Sequence, residues 1–128
     1  MSKRNKIIYW VATLWLSLGM VTTGIVQLIK MEEEVERTVG HLGYPEYFLT
    51  LLGTWKLLGV VAILVPKFPK LKEWAYAGFI FAMTGALFSH LSVGDPASDY
   101  FGPTVLIVLT LISWHFRPAS RKPETIND

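Results

Sequence analysis

The sequence contains no cysteine, which excludes structural disulfides, thiolate metal sites, iron–sulfur clusters and thiol catalysis. Charge is scarce as well. Only 17% of the residues are charged against 52% hydrophobic, too little polar surface for a 128-residue chain that has to stay in water. A formal net charge of +2 gives no argument for a nucleic-acid surface. Neither G-x-G-x-x-G in a strand–helix context nor H-E-x-x-H occurs, so nucleotide binding, zinc hydrolysis and triad chemistry have no signature, and no metal centre is expected. Acids are also missing from every long apolar run: no Asp or Glu lies inside one.

What the chain does have is four such runs, Ile7–Ile29, Tyr47–Val65, Trp74–Val93 and Tyr100–Phe116, of 23, 19, 20 and 17 residues. A bilayer core of about 30 Å takes roughly 20 helical residues to cross, so each run reads as a spanning helix, the fourth at the lower limit. The first is too long, and lacks the small-residue cleavage pattern, for a secretory signal. Lys3, Arg4, Lys6, Lys67, Lys70, Lys72, Arg117, Arg121 and Lys122 fall on one side of the spans. Lys30 and Arg37 fall on the other, among Glu32, Glu33, Glu34, Glu36, Glu46, Asp95 and Asp99. This bias predicts cytoplasmic termini and two acidic connections facing outward. Trp10, Tyr47, Trp74, Tyr76, Tyr100 and Trp114 lie near run ends, as an aromatic belt at the membrane interfaces requires. The expected fold is an all-α integral membrane domain over 1–128, an antiparallel four-transmembrane-helix bundle with helices about 7–29, 47–65, 74–93 and 100–116. Residues 30–46 form its outer loop and 118–128 a polar, disordered cytoplasmic tail.

Pro45 suits the start of the second helix, and Pro66 and Pro69 cannot continue it. In the outer loop Met31, Val35 and Val39 recur at helical spacing and Glu33 can pair with Arg37, which predicts a short amphipathic helix; a mobile acidic loop is the alternative. Lipid offers no hydrophobic drive for helix association, so contact faces are sought in small and polar residues. The first helix carries Thr13, Ser17, Met20, Gly24 and Gln27 as such a seam, and the third carries Ala75, Gly78, Ala82, Gly85 and Ser89. The second adds Gly53, Lys56 and Val60 with Gly59 alongside, and the fourth Thr104, Thr110 and Ser113. All are expected to face inward.

Lys56 stands at the centre of the second run. A lysine there costs about 2.5–3.5 kcal/mol on insertion scales and normally faces the protein interior or a wet cavity. Its side chain leans toward the helix N-terminus, into the half of the membrane that also holds Gln27 and His90, with Thr22 and Thr23 a little deeper. The expected result is an outward-opening pocket rimmed by Glu46, His41, Tyr44, Asp95 and Asp99, in which Glu46, Leu49, Gly53 and Lys56 follow one stripe. The candidate ligand-binding residues are Lys56, His90, Gln27, Thr23, Glu46 and Asp95. The structural alternative makes Lys56 a snorkelling residue that bonds backbone carbonyls or Gln27 and fixes helix register. Haem is disfavoured, because His90 and His115 belong to opposite leaflets and His41 reaches His90 only through the outer loop. His41 and His115 otherwise read as surface or interface residues.

The stretches GTWKLLGVVAILVPKFPKLKEWAYAGF, FAMTGALFSHLSVGD and TTGIVQLI closely resemble the DoxX-like family of small four-helix bacterial membrane proteins, over roughly residues 7–116. The resemblance implies a four-helix bundle in the bacterial cytoplasmic (inner) membrane. It carries over Lys56, His90, Gly59, Gly85 and the Gly94–Asp95 pair as residues of the family pattern. The family name comes from a subunit associated with a terminal quinol oxidase and with thiosulfate:quinone oxidoreductase activity, while an animal relative looks like an assembly chaperone for nicotinic acetylcholine receptors. Three functions are therefore open. The first is a quinone- or lipid-binding protein linked to redox metabolism, non-catalytic in the absence of a catalytic signature. The second is an assembly partner of another membrane protein, or of a second copy, and the third is a minimal small-molecule transporter.

Overall fold

The computed structural model describes residues 2–122. Ser2 opens helix α1 (Lys3–Leu28): its hydroxyl accepts the Asn5 N–H at 3.1 Å, so the helix starts before the first apolar residue, Ile7. A single α turn, α2 (Glu32–Val35), widens into a π-helical segment at Glu36–His41. Helices α3 (Tyr47–Leu64), α4 (Pro69–Ser92) and α5 (Phe101–His115) follow, with 3₁₀ turns at Ala97–Tyr100 and Ala119–Arg121. Among the described residues there are four segments long and apolar enough to cross a membrane, Lys3–Leu28, Tyr47–Leu64, Pro69–Ser92 and Ala97–His115, and no strand. Of the tail expected over 118–128, residues 123–128 lie outside the described residues.

Helix α4 begins at Pro69, earlier than the apolar run at Trp74. Proline is fixed at a helical φ and needs no hydrogen-bond partner in the first turn, and the two residues before it, Lys67 (φ 68) and Phe68 (φ 55), make the turn in left-handed backbone. Lys72 is consequently helical and fully buried, where the charge count had placed it in a connection. Its Nζ donates to Ala62 O at 2.8 Å and to Val65 O. Arg121 reaches the same helix end, donating to Ile63 O at 2.8 Å, Leu64 O at 3.2 Å and Val65 O at 3.4 Å. The last carbonyls of α3 have no helical partner and Pro66 cannot supply one. Two cations fill that role and match the negative end of the helix dipole.

Helix α1 packs against α3 and α5, and α4 against the same two. The α1 seam of Thr13, Ser17, Met20, Gly24 and Gln27 is buried throughout. A Cβ on Gly53 would lie 2.7 Å from Gly24 O and 2.8 Å from Leu28 Cγ, so α1 and α3 touch backbone to backbone at this crossing. The expected seam on α4 is used only in part: Ser89 is buried, and Ala75 and Ala82 pack against the core. Gly78 and Gly85 are exposed with nothing near them, and the inward stripe is Lys72, Tyr76, Phe79, Met83, Ser89 and His90. The reason lies across the interface: a Cβ on Gly59 would meet the Phe79 ring at 2.6 Å, so the small residue belongs to α3 and admits a large one from α4. Tyr76 is likewise in the core and not at an interfacial belt. Its hydroxyl bonds Ser113 Oγ at 2.8 Å, and Ser113 bonds Thr13 Oγ1 at 2.6 Å, which links α1, α4 and α5. Thr22 and Thr104 face outward. Large apolar side chains cover the exterior, among them Trp15 (61% exposed), Trp55 (58%), Phe81 (74%) and Phe101 (73%), a surface suited to lipid rather than water.

Candidate functional site

Two connections, residues 29–46 and 93–100, meet at one end of the helices, joined by His41 to Asp95, and Tyr44 ties the first of them to Ser89 of α4. Beneath them lies a cavity of about 470 Å³ bounded by α1, the α2 and π segment, α3, α4 and α5. Phe48, Leu52, Phe81, Met83 and Leu106 form its apolar walls. Thr23, Gln27, Glu34, Arg37, Lys56, Ser89, His90 and Asp99 supply polar groups.

Lys56 is 5% exposed and sits nine residues into α3, about 13 Å along the helix at 1.5 Å per residue. Its Nζ donates to Thr23 Oγ1 at 3.1 Å. Thr23 gives its own proton to Gly19 O at 2.9 Å, which leaves the hydroxyl oxygen free to accept from the ammonium. One helical turn toward the loops, Gln27 Nε2 donates to Glu34 Oε1 at 3.2 Å, and Arg37 Nη1 donates to Glu34 Oε2 at 3.1 Å. The buried Gln27 Oε1 has no partner among the described residues. Arg37 thus pairs with Glu34 instead of the expected Glu33. The α2 and π segment turns Glu34, Val35, Thr38 and Leu42 inward, where the pattern of Met31, Val35 and Val39 had pointed to a purely apolar face.

The second half of the site is built on the end of α4. Gly94 takes the left-handed backbone (φ 75) that closes the helix, and the Asp95 N–H returns to His90 O at 3.0 Å. This folds the Asp95 carboxylate back over the last turn, between two imidazoles: His90 Nδ1 at 2.6 Å from Oδ2, and His41 Nε2 at 2.5 Å from Oδ1. The Tyr100 hydroxyl donates to the Asp95 backbone carbonyl at 2.5 Å. Hydrogen bonds from His90 and then His41 hold the Asp95 carboxyl below its ordinary value of 3.8. Ser89 donates to Gly85 O at 2.8 Å, so the Tyr44 hydroxyl is the donor in its bond to Ser89. Ligand atoms of His90, Asp95 and Asp99 lie within 4.8 Å of one another.

Of the six candidate residues, Lys56, Thr23, Gln27 and His90 line one cavity, and Asp95 stands directly behind His90. Glu46 does not join them. It pairs with Lys30 at 3.8 Å on the exposed side of the first connection. Ten residues separate Glu46 from Lys56, and at 3.6 residues per turn that leaves them roughly 80° apart around the axis, so their apparent stripe drifts out of register. Glu34 supplies the acid near the cavity in its place. Glu34, Thr38 and Leu42 follow an i, i+4, i+8 spacing, the one sequence signal that finds this inner face. His115 lies away from the cavity, edge-on to Phe116 with centroids 4.9 Å apart.

A helical membrane protein with an open, largely apolar pocket between its helices that holds a few polar groups is the class these observations define. The DoxX-like family model matches residues 11–113, and the chain belongs to that family. Comparison with curated proteins and with solved structures gives no match.

Proposed function

We propose that this DoxX-like protein binds a quinone or a lipid in the cavity, its polar head among Lys56, Thr23, Gln27 and His90 and its tail against Phe48, Leu52, Phe81 and Leu106. The observation that carries the reading is the state of the buried polar groups. An ammonium has three protons to donate; among the described residues Lys56 has one acceptor, Thr23, and Gln27, which lines the same cavity, keeps an unpaired amide oxygen. A quinone carbonyl or an anionic lipid oxygen accepts from the ammonium, and a hydroxyl of the reduced quinol or of a lipid head group donates to the amide oxygen. The volume, about 470 Å³, lies in the range of small-molecule pockets. The role is one of binding, linked to redox metabolism through a quinone pool.

The same reading sets the chain in a bacterial cytoplasmic membrane as an antiparallel four-helix bundle, termini inside and the acidic connections outside. The charge bias supports it, as does the meeting of His41 with Asp95 at one end and of Lys72 and Arg121 at the other. Single cysteines at Glu33 and Lys70 are expected to react with impermeant thiol reagents from outside and inside respectively; the reverse pattern overturns the topology. A second reading, assembly with another membrane helix, is favoured by the open face of α4 at Gly78.

Mass spectrometry of small molecules retained through purification in mild detergent tests the binding reading. One quinone or lipid class enriched in the wild type and lost from Lys56→Met is expected. An identical, unselective profile in both proteins refutes it.

A further inference from the structure

We propose that His41, His90, Asp95 and Asp99 form a binding site for a divalent transition-metal ion of the zinc type, at the rim of the cavity, where it shares His90 and Asp99 with the lining of the Lys56 pocket. The donor set comes from three segments: His41 from the π-helical segment, His90 from the end of α4, and the two aspartates from the connection to α5. Three of the donors, from His90, Asp95 and Asp99, lie within 4.8 Å of one another. His41 stands outside that cluster and touches it only through its 2.5 Å contact with Asp95, so it becomes the fourth ligand by moving toward the other two donors.

Tetrahedral zinc holds imidazole nitrogen at about 2.0–2.1 Å and carboxylate oxygen at about 2.0–2.2 Å, which places neighbouring ligand atoms about 3.4 Å apart. The His–Asp contacts of 2.5 and 2.6 Å therefore open by under about 1 Å, and the separations among His90, Asp95 and Asp99, at most 4.8 Å, close by up to about 1.4 Å. The protons now lying between the imidazoles and Asp95 move to the other ring nitrogens or to solvent when the metal takes their place. Two carboxylates neutralise the dication, so the occupied site carries no net charge. Two imidazoles among four donors select zinc and its transition-metal neighbours over calcium or magnesium, which take oxygen. The linear spacing hides this set, because His41 is 49 residues before His90 and belongs to another connection.

Metal binding pins the π segment to the end of α4 and to the Ala97–Tyr100 turn, so it ties together three of the segments that frame the cavity. The test uses tag-free protein in mild detergent, stripped with a chelator and titrated with Zn²⁺ by calorimetry, with Co²⁺ as a spectroscopic substitute. One Zn²⁺ per chain is expected, with four-coordinate nitrogen and oxygen ligation in the Co²⁺ spectrum and no comparable heat from Ca²⁺. The exposed variants His41→Ala and Asp99→Asn, neither of which removes a buried group, are each expected to weaken Zn²⁺ binding by about tenfold or more. An affinity unchanged in either variant, no saturable Zn²⁺ binding, or Ca²⁺ binding as tight as that of Zn²⁺ overturns the proposal.

Discussion

Replacing Lys56 with methionine separates the two roles that a buried lysine can have. On insertion scales, an ammonium at a helix centre costs about 2.5–3.5 kcal/mol, which the substitution recovers. Against this stands one lost hydrogen bond from a charged donor, worth about 1.5–3 kcal/mol. Thr23 is not orphaned by the change, because its hydroxyl still donates to Gly19 O at 2.9 Å, and methionine fills the space of the lysine stem without a polar atom. The two effects nearly cancel, so Lys56→Met is expected to fall within about 1 kcal/mol of the wild type, on either side. The comparison has to be made on protein stripped of small molecules, since a ligand held by the wild type alone adds stability by mass action. Reversible unfolding in mixed micelles measures it. A loss above about 2 kcal/mol in the stripped protein would make Lys56 a brace between α1 and α3 and refute the argument that its charge is there for a ligand.

Glycine substitutions should split by position: Gly53→Ala drives a methyl into Gly24 O and Leu28 and should cost about 1–3 kcal/mol. Gly85→Ala meets nothing within 4 Å and should be neutral or stabilising by up to about 1 kcal/mol, as paired thermal melts would show. Arg121→Ala releases the Ile63 and Leu64 carbonyls at the end of α3, Val65 O keeping Lys72, and should cost about 1–3 kcal/mol, with faster amide exchange at the end of that helix and unchanged exchange around Lys56. Because the folded state depresses the Asp95 carboxyl below 3.8, its contribution is complete above that value and is lost as pH falls through the folded one. Melting curves between pH 6 and 3 should therefore fall more steeply for the wild type than for Asp95→Asn, and parallel curves would show that the two imidazole bonds contribute nothing.

Much of the architecture was legible in the residues because a bilayer imposes a length and a solvent on each helix. The four spans follow from uninterrupted apolar runs, and the inner face of α1 follows from its Thr13–Gln27 seam. The inner face of α4 was legible only in part, through Ala75, Ala82 and Ser89. In lipid an apolar side chain is equally at home outside and inside, so Phe79 and Phe81 look alike in the sequence although one is buried and the other 74% exposed. Their difference is set by Gly59 on another helix. Lys72 was misread for a related reason: a cation near a span end reads as a loop residue until the carbonyls of α3 are seen to need a donor.

The sequence by itself determined that this is a helical membrane protein with a lysine in the middle of its second span, since hydropathy and length are properties of each segment alone. Which polar groups surround that lysine was decided only by the tertiary structure. Glu34 and not Glu46 stands near the cavity, and His41 meets Asp95 across 54 residues. Contacts of that kind depend on the relative rotation and crossing of helices, and these are fixed where Gly24 lies on Gly53 and Phe79 on Gly59, in pairs that no single segment encodes.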